Sequence, residues 1–134
     1  MVSEKVVGEI DNGLVILLGV QRGDTEKDAD FLVNKISGLR IFSDENDKMN
    51  LSIKDVNGSA LVISQFTLCG DTKKGRRPSF IKAATPDDGN RLYEYFMSEM
   101  KKSGVPIESG EFGAMMDVEL VNNGPVTFVL NSKD

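Results

Sequence analysis

Two hydroxyl groups and one amide stand close together at the end of an otherwise apolar strand-like segment. Ser64, Gln65, Phe66 and Thr67, hereafter the Ser-Gln-Phe-Thr segment, follow the apolar run of residues 60–63. Buried polar side chains need hydrogen-bond partners, and a strand end is where α/β proteins place their ligands. The segment is therefore a candidate for binding and catalysis, although an outward-facing strand edge also explains the pattern.

Two further segments could shape a site. Gly124 and Pro125 lie in a predicted turn. The simplest interpretation is an ordinary hairpin connection and not a special cis-proline turn, because only about 5–6% of X-Pro bonds in folded proteins are cis. Residues 112–116, Phe-Gly-Ala-Met-Met, combine small and large apolar side chains. Such a run usually lines a core and less often a pocket wall. None of these patterns identifies a reaction by itself.

The composition excludes several kinds of chemistry. The chain contains no histidine, so a Ser-His or Cys-His nucleophile arrangement is excluded. Cys69 is the only cysteine, which rules out an internal disulfide, and no Cys/His cluster predicts a metal site. We expect no cofactor. No apolar run is long enough to span a membrane, and the N-terminal residues lack a signal-peptide layout, so the sequence predicts a cytoplasmic protein.

Positive charge is concentrated in residues 71–82, hereafter the basic loop, of a protein whose net charge is −5. The loop carries five basic residues against one acidic residue, Asp71, a local balance of +4. A basic stretch on an acidic protein can hold a few phosphates without general affinity for nucleic acids. A solvated loop is the alternative. The basic residues of the loop are Lys73, Lys74, Arg76, Arg77 and Lys82.

The predicted strands and helices position these residues. Their order along the chain indicates one α/β domain over residues 1–134, with helices covering one face of a curved sheet. Thr25 with Asp28, and Thr85 with Pro86, predict the starts of two helices, and Gly38 suits the end of the first. An Asn-Gly pair predicts an N-terminal hairpin, whose second strand is apolar enough to be buried on both faces. The predicted strands are residues 6–10, 14–20, 39–42, 60–68, 116–121 and 126–130.

Six ordered blocks between residues 6 and 130 resemble the D-aminoacyl-tRNA deacylase family. The Ser-Gln-Phe-Thr segment, followed by Leu68, is similar to the first signature motif of that family. Residues 122–127, Asn-Asn-Gly-Pro-Val-Thr, are similar to the second, Asn-x-Gly-Pro-x-Thr. The other blocks are residues 39–42, 48–52, 75–80 and 110–114. Nothing in this chain matches the Gln-Arg-Val stretch on a further N-terminal strand of the family, whose arginine is associated with holding the Gly-Pro turn.

The resemblance implies a three-layer β/β/α fold with mainly antiparallel sheets and two main helices. It also implies a homodimer in which Gly124 and Pro125, joined by a cis bond, enter the partner's site. There their carbonyl groups would reject L-amino acids and accept D-amino acids and glycine on tRNA. Asn122 and Thr127 would support this turn, and Lys73, Lys74, Arg76 and Arg77 would contact the tRNA.

The implied reaction is hydrolysis of the ester of a D-aminoacyl-tRNA. Main-chain N–H groups near Phe66 and Thr67 would form an oxyanion hole, and Ser64 and Gln65 would position substrate or water. Thr67 is a weaker candidate for a nucleophile, since no base is evident beside it. The alternatives are a non-catalytic tRNA- or RNA-binding module and a homologue that kept the fold and lost the chemistry.

Overall fold

The computed structural model describes residues 8–133 and contains two helices that pack beside a three-stranded sheet of order β1-β4-β5. A separate two-stranded sheet is formed by β2 and β3. In chain order the elements are β1 (Gly13–Leu18), α1 (Glu26–Gly38), β2 (Phe42–Ser43), β3 (Met49–Leu51), β4 (Ser59–Ser64), a 3₁₀ helix (Phe66–Cys69), α2 (Pro86–Lys102) and β5 (Ile107–Ser109).

The prediction of mainly antiparallel sheets is wrong for the described residues. β4 pairs in parallel with both β1 and β5, and only the short β2–β3 pair is antiparallel. The connection from β1 to β4 contains α1, and the connection from β4 to β5 contains α2. Such long crossovers return the chain to the same end of the sheet, which is what parallel pairing requires. The α/β class is confirmed.

Both helices begin where the sequence predicts. At the start of α1, the main-chain N–H of Thr25 donates to Asp28 Oδ2 at 2.9 Å. At the start of α2, Thr85 Oγ1 accepts from the N–H of Asp88 at 3.4 Å, and Pro86 is the first helical residue. α1 ends at Gly38. These caps satisfy N–H groups that have no partner inside a helix, so local sequence is enough to fix the helix starts.

The core lies between the helices and one face of the parallel sheet. Phe96 of α2 and Val62 of β4 are completely buried there, and the hydroxyl of Tyr93 donates to the carbonyl of Val62 at 3.0 Å. β1 alternates, with Leu18 buried and Leu17 exposed, so the prediction that this strand is buried on both faces is wrong for the described residues. One apolar face of β1 is open to solvent.

Three predicted strands are not observed within residues 8–133. Residues 8–10 form no strand, and the first half of the predicted N-terminal hairpin otherwise lies outside the described residues. Residues 116–121 and 126–130 also form neither helix nor strand. Their apolar and β-branched side chains favour a strand locally, but a strand also needs a neighbour to accept its main-chain hydrogen bonds. No described segment of the chain pairs with them.

Candidate active site

The Ser-Gln-Phe-Thr segment leaves the sheet at the end of its central strand. Ser64 is the last residue of β4 and lies opposite Leu18, and the N–H of Gln65 donates to the Leu18 carbonyl at 2.8 Å. The chain then turns into the 3₁₀ helix, so the predicted strand over residues 60–68 is too long. The physical reason is that β1, the neighbouring strand, also ends at Leu18.

The 3₁₀ helix lies directly against the chain that continues from β1. A Cβ atom added to Gly19 would stand 3.1 Å from Leu68 Cβ, so a glycine permits this close approach. The Cys69 thiol donates to the Val20 carbonyl at 3.5 Å. Burial raises the pKa of the Cys69 thiol, which keeps it protonated at neutral pH. Cys69 therefore supports the segment and is a poor nucleophile.

The hydroxyl of Thr67 is exposed and is bonded to its neighbour. Gln65 Nε2 donates to Thr67 Oγ1 at 2.5 Å. An amide does not remove a proton from a hydroxyl at neutral pH, and no described side chain that could act as a base is hydrogen-bonded to Thr67. The described residues therefore place no base beside the Thr67 hydroxyl, and its role as a nucleophile stays a prediction to be tested.

Main-chain donors are available at the same place. Among residues 8–133, the N–H groups of Phe66 and Thr67 have no hydrogen-bond acceptor, whereas the N–H groups of Gln65 and Leu68 donate to Leu18 and Gln65. Phe66 and Thr67 are both exposed. Two adjacent N–H groups without an acceptor in the described part of the chain could bind a developing oxyanion.

The basic loop begins beside this segment. Its base is closed by two main-chain hydrogen bonds between Asp71 and Ser79, of 2.7 and 2.8 Å. Phe80 packs edge-on against Phe66, with ring centroids 5.1 Å apart. Lys82 forms an ion pair with Asp71 at 3.6 Å, which neutralises part of the charge at the base. The cations at the tip, Lys73, Lys74, Arg76 and Arg77, are all exposed.

A small open cavity of about 230 Å³ lies between the 3₁₀ helix and the basic loop. Gln21 and Thr72 contribute to its lining and were not among the residues selected from the sequence. Only the tertiary structure shows that Gln21 lines this cavity, because an isolated antiparallel bridge to Ala83 brings it beside the basic loop. Sequence spacing gives no indication of that pairing.

Residues 122–127, hereafter the Gly-Pro turn, are held by one side chain. Asn122 Oδ1 accepts from the N–H of Val126 at 3.1 Å, and Asn122 Nδ2 donates to Thr127 Oγ1 at 2.9 Å. The bond between Gly124 and Pro125 is cis, as the resemblance implied, and Gly124 has a φ of +131°. Asn122 and Thr127 thus contact each other across the turn and fix its shape.

The Gly-Pro turn and the Ser-Gln-Phe-Thr segment do not meet within one chain. Among the described residues, no hydrogen bond, ion pair or ring contact joins them. Apart from Val126, which is half-buried, every residue of the turn is exposed. The structure therefore brings together the Ser-Gln-Phe-Thr segment and the base of the basic loop, but it leaves the turn separate.

The apolar run of residues 112–116 packs on α2 at one end only. Phe112 lies 5.9 Å from Tyr93 between ring centroids, and a Cβ atom added to Gly89 would stand 3.3 Å from the Phe112 ring. Met115, in contrast, is 92% exposed. Neither a core nor a closed pocket wall is formed by the whole run.

Within residues 8–133, no group of three or more His, Cys, Asp or Glu side chains is arranged to hold a metal ion. Neither α1 nor α2, the two α-helices in this part of the chain, is long and apolar enough to cross a membrane.

Comparison with known proteins gives related sequences and folds over nearly the whole chain. The D-aminoacyl-tRNA deacylase of Bacillus cytotoxicus is 56% identical over 132 residues, which cover 98% of this chain and 90% of that protein. The D-aminoacyl-tRNA deacylase of Thermotoga petrophila is 54% identical, with 98% and 89% covered.

Two solved structures share the fold. A c-Myc DNA Unwinding Element Binding Protein superposes with a TM-score of 0.88 at 36% identity, covering 94% of this chain and 86% of that chain. A probable eukaryotic D-amino acid tRNA deacylase has a TM-score of 0.60 at 18% identity, covering 76% and 75%, which is a likeness of fold alone. A sequence profile described as D-Tyr-tRNA(Tyr) deacylase matches residues 1–131, and together with the identities to the two bacterial proteins it shows that this chain belongs to that family.

Proposed function

We propose that this protein is a single-domain cytoplasmic hydrolase that cleaves the ester bond of D-aminoacyl-tRNA. Membership of the D-Tyr-tRNA(Tyr) deacylase family and relatives above 50% identity named D-aminoacyl-tRNA deacylase support this activity. The mechanism is carried by the main-chain N–H groups of Phe66 and Thr67, which have no acceptor among residues 8–133 and lie at the end of the central strand.

The reaction is transfer of the aminoacyl group to water. Water attacks the ester carbonyl, the carbonyl oxygen becomes negatively charged, and the bond to the ribose oxygen then breaks as that oxygen takes a proton. The N–H groups of Phe66 and Thr67 stabilise the negative oxygen, and one such donor typically contributes about 10²–10³ in rate. Ser64 and Gln65 position water or substrate. An aminoacyl ester is already activated, so the reaction does not need histidine or a metal ion.

Chiral selection is proposed to come from the Gly-Pro turn. The carbonyl groups of Gly124 and Pro125 would face the α-carbon of the substrate and exclude an L side chain by steric clash. A selector made of main chain rejects the wrong hand without contacting the correct side chain, so many D-amino acids and glycine are accepted. Asn122 and Thr127 support the selector through the hydrogen bonds across the turn.

The separation of the turn from the Ser-Gln-Phe-Thr segment supports a homodimer in which each turn serves the opposite site. Exposed apolar side chains surround the turn, and a monomer rarely leaves such a surface uncovered. Association of two copies would also cover the open face of β1, where Val15 and Leu17 are exposed. The three-layer β/β/α arrangement of each single domain remains part of this proposal. The exposed side chains are Met115, Val118, Leu120, Val121, Phe128 and Val129.

The substrate tRNA is proposed to contact the tip of the basic loop. Lys73, Lys74, Arg76 and Arg77 are exposed, and the base of the loop is tied to the Ser-Gln-Phe-Thr segment through Phe80 and Phe66. Phosphates of the acceptor end could therefore lie on the loop while the aminoacyl ester reaches the N–H groups. The same exposed cations favour the alternative of a non-catalytic RNA-binding module.

The decisive experiment is hydrolysis of matched D- and L-aminoacyl-tRNA by the purified full chain. We expect rapid release of the D-amino acid, release of glycine from glycyl-tRNA, and protection of the L ester. Binding of tRNA without turnover would support the RNA-binding module, and neither binding nor turnover would support an inactive homologue.

The dimer is tested by Val121→Asp. Val121 is 92% exposed within one chain, so a new carboxylate there should leave a monomer folded, whereas burying it between two copies would cost several kcal/mol. Sedimentation should show monomers with little activity. Met49→Asp, at an exposed position on β3, is the control and should remain dimeric. A fully active Val121→Asp monomer would contradict action across the dimer.

A further inference from the structure

The end of the described chain is tied to the first turn of α1 by two neighbouring side chains. Lys133 Nζ lies 2.8 Å from Asp28 Oδ1 and 3.6 Å from Asp24 Oδ1. Ser132 Oγ donates to the same Asp28 Oδ1 at 2.9 Å. Asp28 also caps α1 by accepting from the N–H of Thr25. The contacts of Ser132 and Lys133 with Asp24 and Asp28 are hereafter called the tail clamp. They connect residues that are more than one hundred positions apart in the sequence.

The tail clamp differs from an ordinary surface ion pair. Its carboxylates are only 13% exposed for Asp24 and 17% for Asp28, although Lys133 is 56% exposed. The hydrogen bond from Lys133 is the largest cause that lowers the pKa of Asp28 to about 2, followed by the bond from Thr25. A charge-assisted bond to a mostly buried carboxylate constrains geometry more than an exposed pair does.

The clamp fixes the chain shortly after the Gly-Pro turn. Leu130, five residues beyond Pro125, packs against the core. Ser132 and Lys133 of the tail clamp come two and three residues later. Residues 110–130 belong to no helix or strand, so no sheet ladder holds the turn in place relative to the domain. The internal bonds of Asn122 set the shape of the turn, but its position depends on how the chain is anchored on either side.

We infer that Lys133 and Ser132, through Asp28, are positioning residues that set the placement of the Gly-Pro turn and thereby the preference for D over L substrates. The inference rests on the proposed function, because the turn must be the chiral selector for its placement to matter. Neither residue touches substrate. A selector that works by steric clash is sensitive to displacement, since an error of about 1 Å can change a rate by about 10²-fold.

The test is Lys133→Met in the full chain, compared with Arg91→Met. Arg91 pairs with Glu26 in the same first turn of α1 but comes from α2, so its loss removes an ion pair at the same helix end without freeing the tail. We expect Lys133→Met to lower the ratio of kcat/KM for D over L aminoacyl-tRNA by about tenfold, mainly through faster L hydrolysis. Arg91→Met should leave the ratio unchanged, and Lys133→Arg should restore it.

Ser132→Ala provides a second variant that keeps the ion pair and removes one hydrogen bond, and it should lower the ratio by a smaller factor. An unchanged ratio in both variants, or an equal fall in Arg91→Met, would overturn the inference. Amide hydrogen exchange of residues 118–129 is an independent measurement. Faster exchange there in Lys133→Met, but not in Arg91→Met, is expected even if the wild type hydrolyses no D-aminoacyl-tRNA, so failure of the proposed function is distinguished from failure of the clamp.

Discussion

The Ser-Gln-Phe-Thr segment and the Gly-Pro turn carry the two halves of the proposed site, and they are held in different ways. The segment continues the central strand of a parallel sheet, and the N–H of Gln65 donates to the Leu18 carbonyl at the end of the neighbouring strand. The turn lies outside any sheet and takes its shape from Asn122. Catalysis by the main-chain N–H groups of the segment should therefore tolerate side-chain substitutions. The function of the turn, in contrast, should be lost when its main-chain conformation changes.

The largest effect is expected from removing a main-chain donor of the segment. Phe66→Pro removes the N–H of residue 66, and proline is tolerated in the first turn of a helix, where Phe66 begins the 3₁₀ helix. We expect kcat to fall by about 10²–10³, the usual cost of one oxyanion donor. Phe66→Ala is the matched control, because it removes the ring and keeps the N–H. Similar rates for both variants would contradict the oxyanion hole.

Gly124→Ala changes the conformation of the turn. The φ of +131° is unfavourable for an L residue, and the added Cβ would stand 2.7 Å from Val126 Cγ2. We expect kcat/KM on D substrates to fall by about 10²-fold. Gly23→Ala, at a φ of +87° with open space around the Cβ position, is the control for positive φ alone.

The two variants can also be combined to test whether the turn acts on the opposite subunit. If each turn acts on the opposite subunit, a hybrid dimer has one intact site. In that site the segment comes from the Gly124→Ala subunit and the turn from the Phe66→Pro subunit. Mixing equal amounts after unfolding and refolding should therefore recover about a quarter of wild-type activity, since half of the dimers are hybrids with one working site each. If the turn served its own chain, the mixture would recover nothing.

Neutralising the tip of the basic loop should weaken binding more than chemistry. Replacing Lys73, Lys74, Arg76 and Arg77 with glutamine should raise the Kd for tRNA by about tenfold or more at 0.1 M salt and should make that Kd less dependent on salt, because fewer counterions are released. Single-turnover hydrolysis of bound substrate should change little. A variant with four other exposed lysines replaced by glutamine is the charge-matched control. Those four are Lys27, Lys48, Lys54 and Lys101. Equal effects in both variants would show that only total charge matters.

The smallest effect is expected for Thr67→Ala. This change removes the hydroxyl that accepts from Gln65 Nε2 and leaves the main-chain N–H in place. We expect kcat to fall by less than about tenfold, well below the loss of a main-chain donor. The rate should be measured under single-turnover conditions, with thermal unfolding as the check on folding. Complete loss of turnover in a folded protein that still binds tRNA would give the Thr67 side chain a direct role.

Local signals in the sequence predicted the helices and the motif positions. The pairs Thr25–Asp28 and Thr85–Pro86 identify both helix starts, because a cap involves residues within one turn of each other. The ordered motifs indicated the family, and the shape of the Gly-Pro turn follows from residues five positions apart.

Long-range pairing decided the rest. Whether β4 runs parallel to β1 depends on how residues 19–58 cross the sheet, and no window of local sequence encodes that path. The 3₁₀ helix replaces the end of the predicted strand because β1 ends at Leu18, and residues 116–130 remain without regular structure because no described segment pairs with them. The sequence alone therefore determined which residues are candidates for the site and where the helices start. Only the tertiary structure decided which main-chain N–H groups remain unpaired and that the turn stands apart, since both depend on partners distant in the chain.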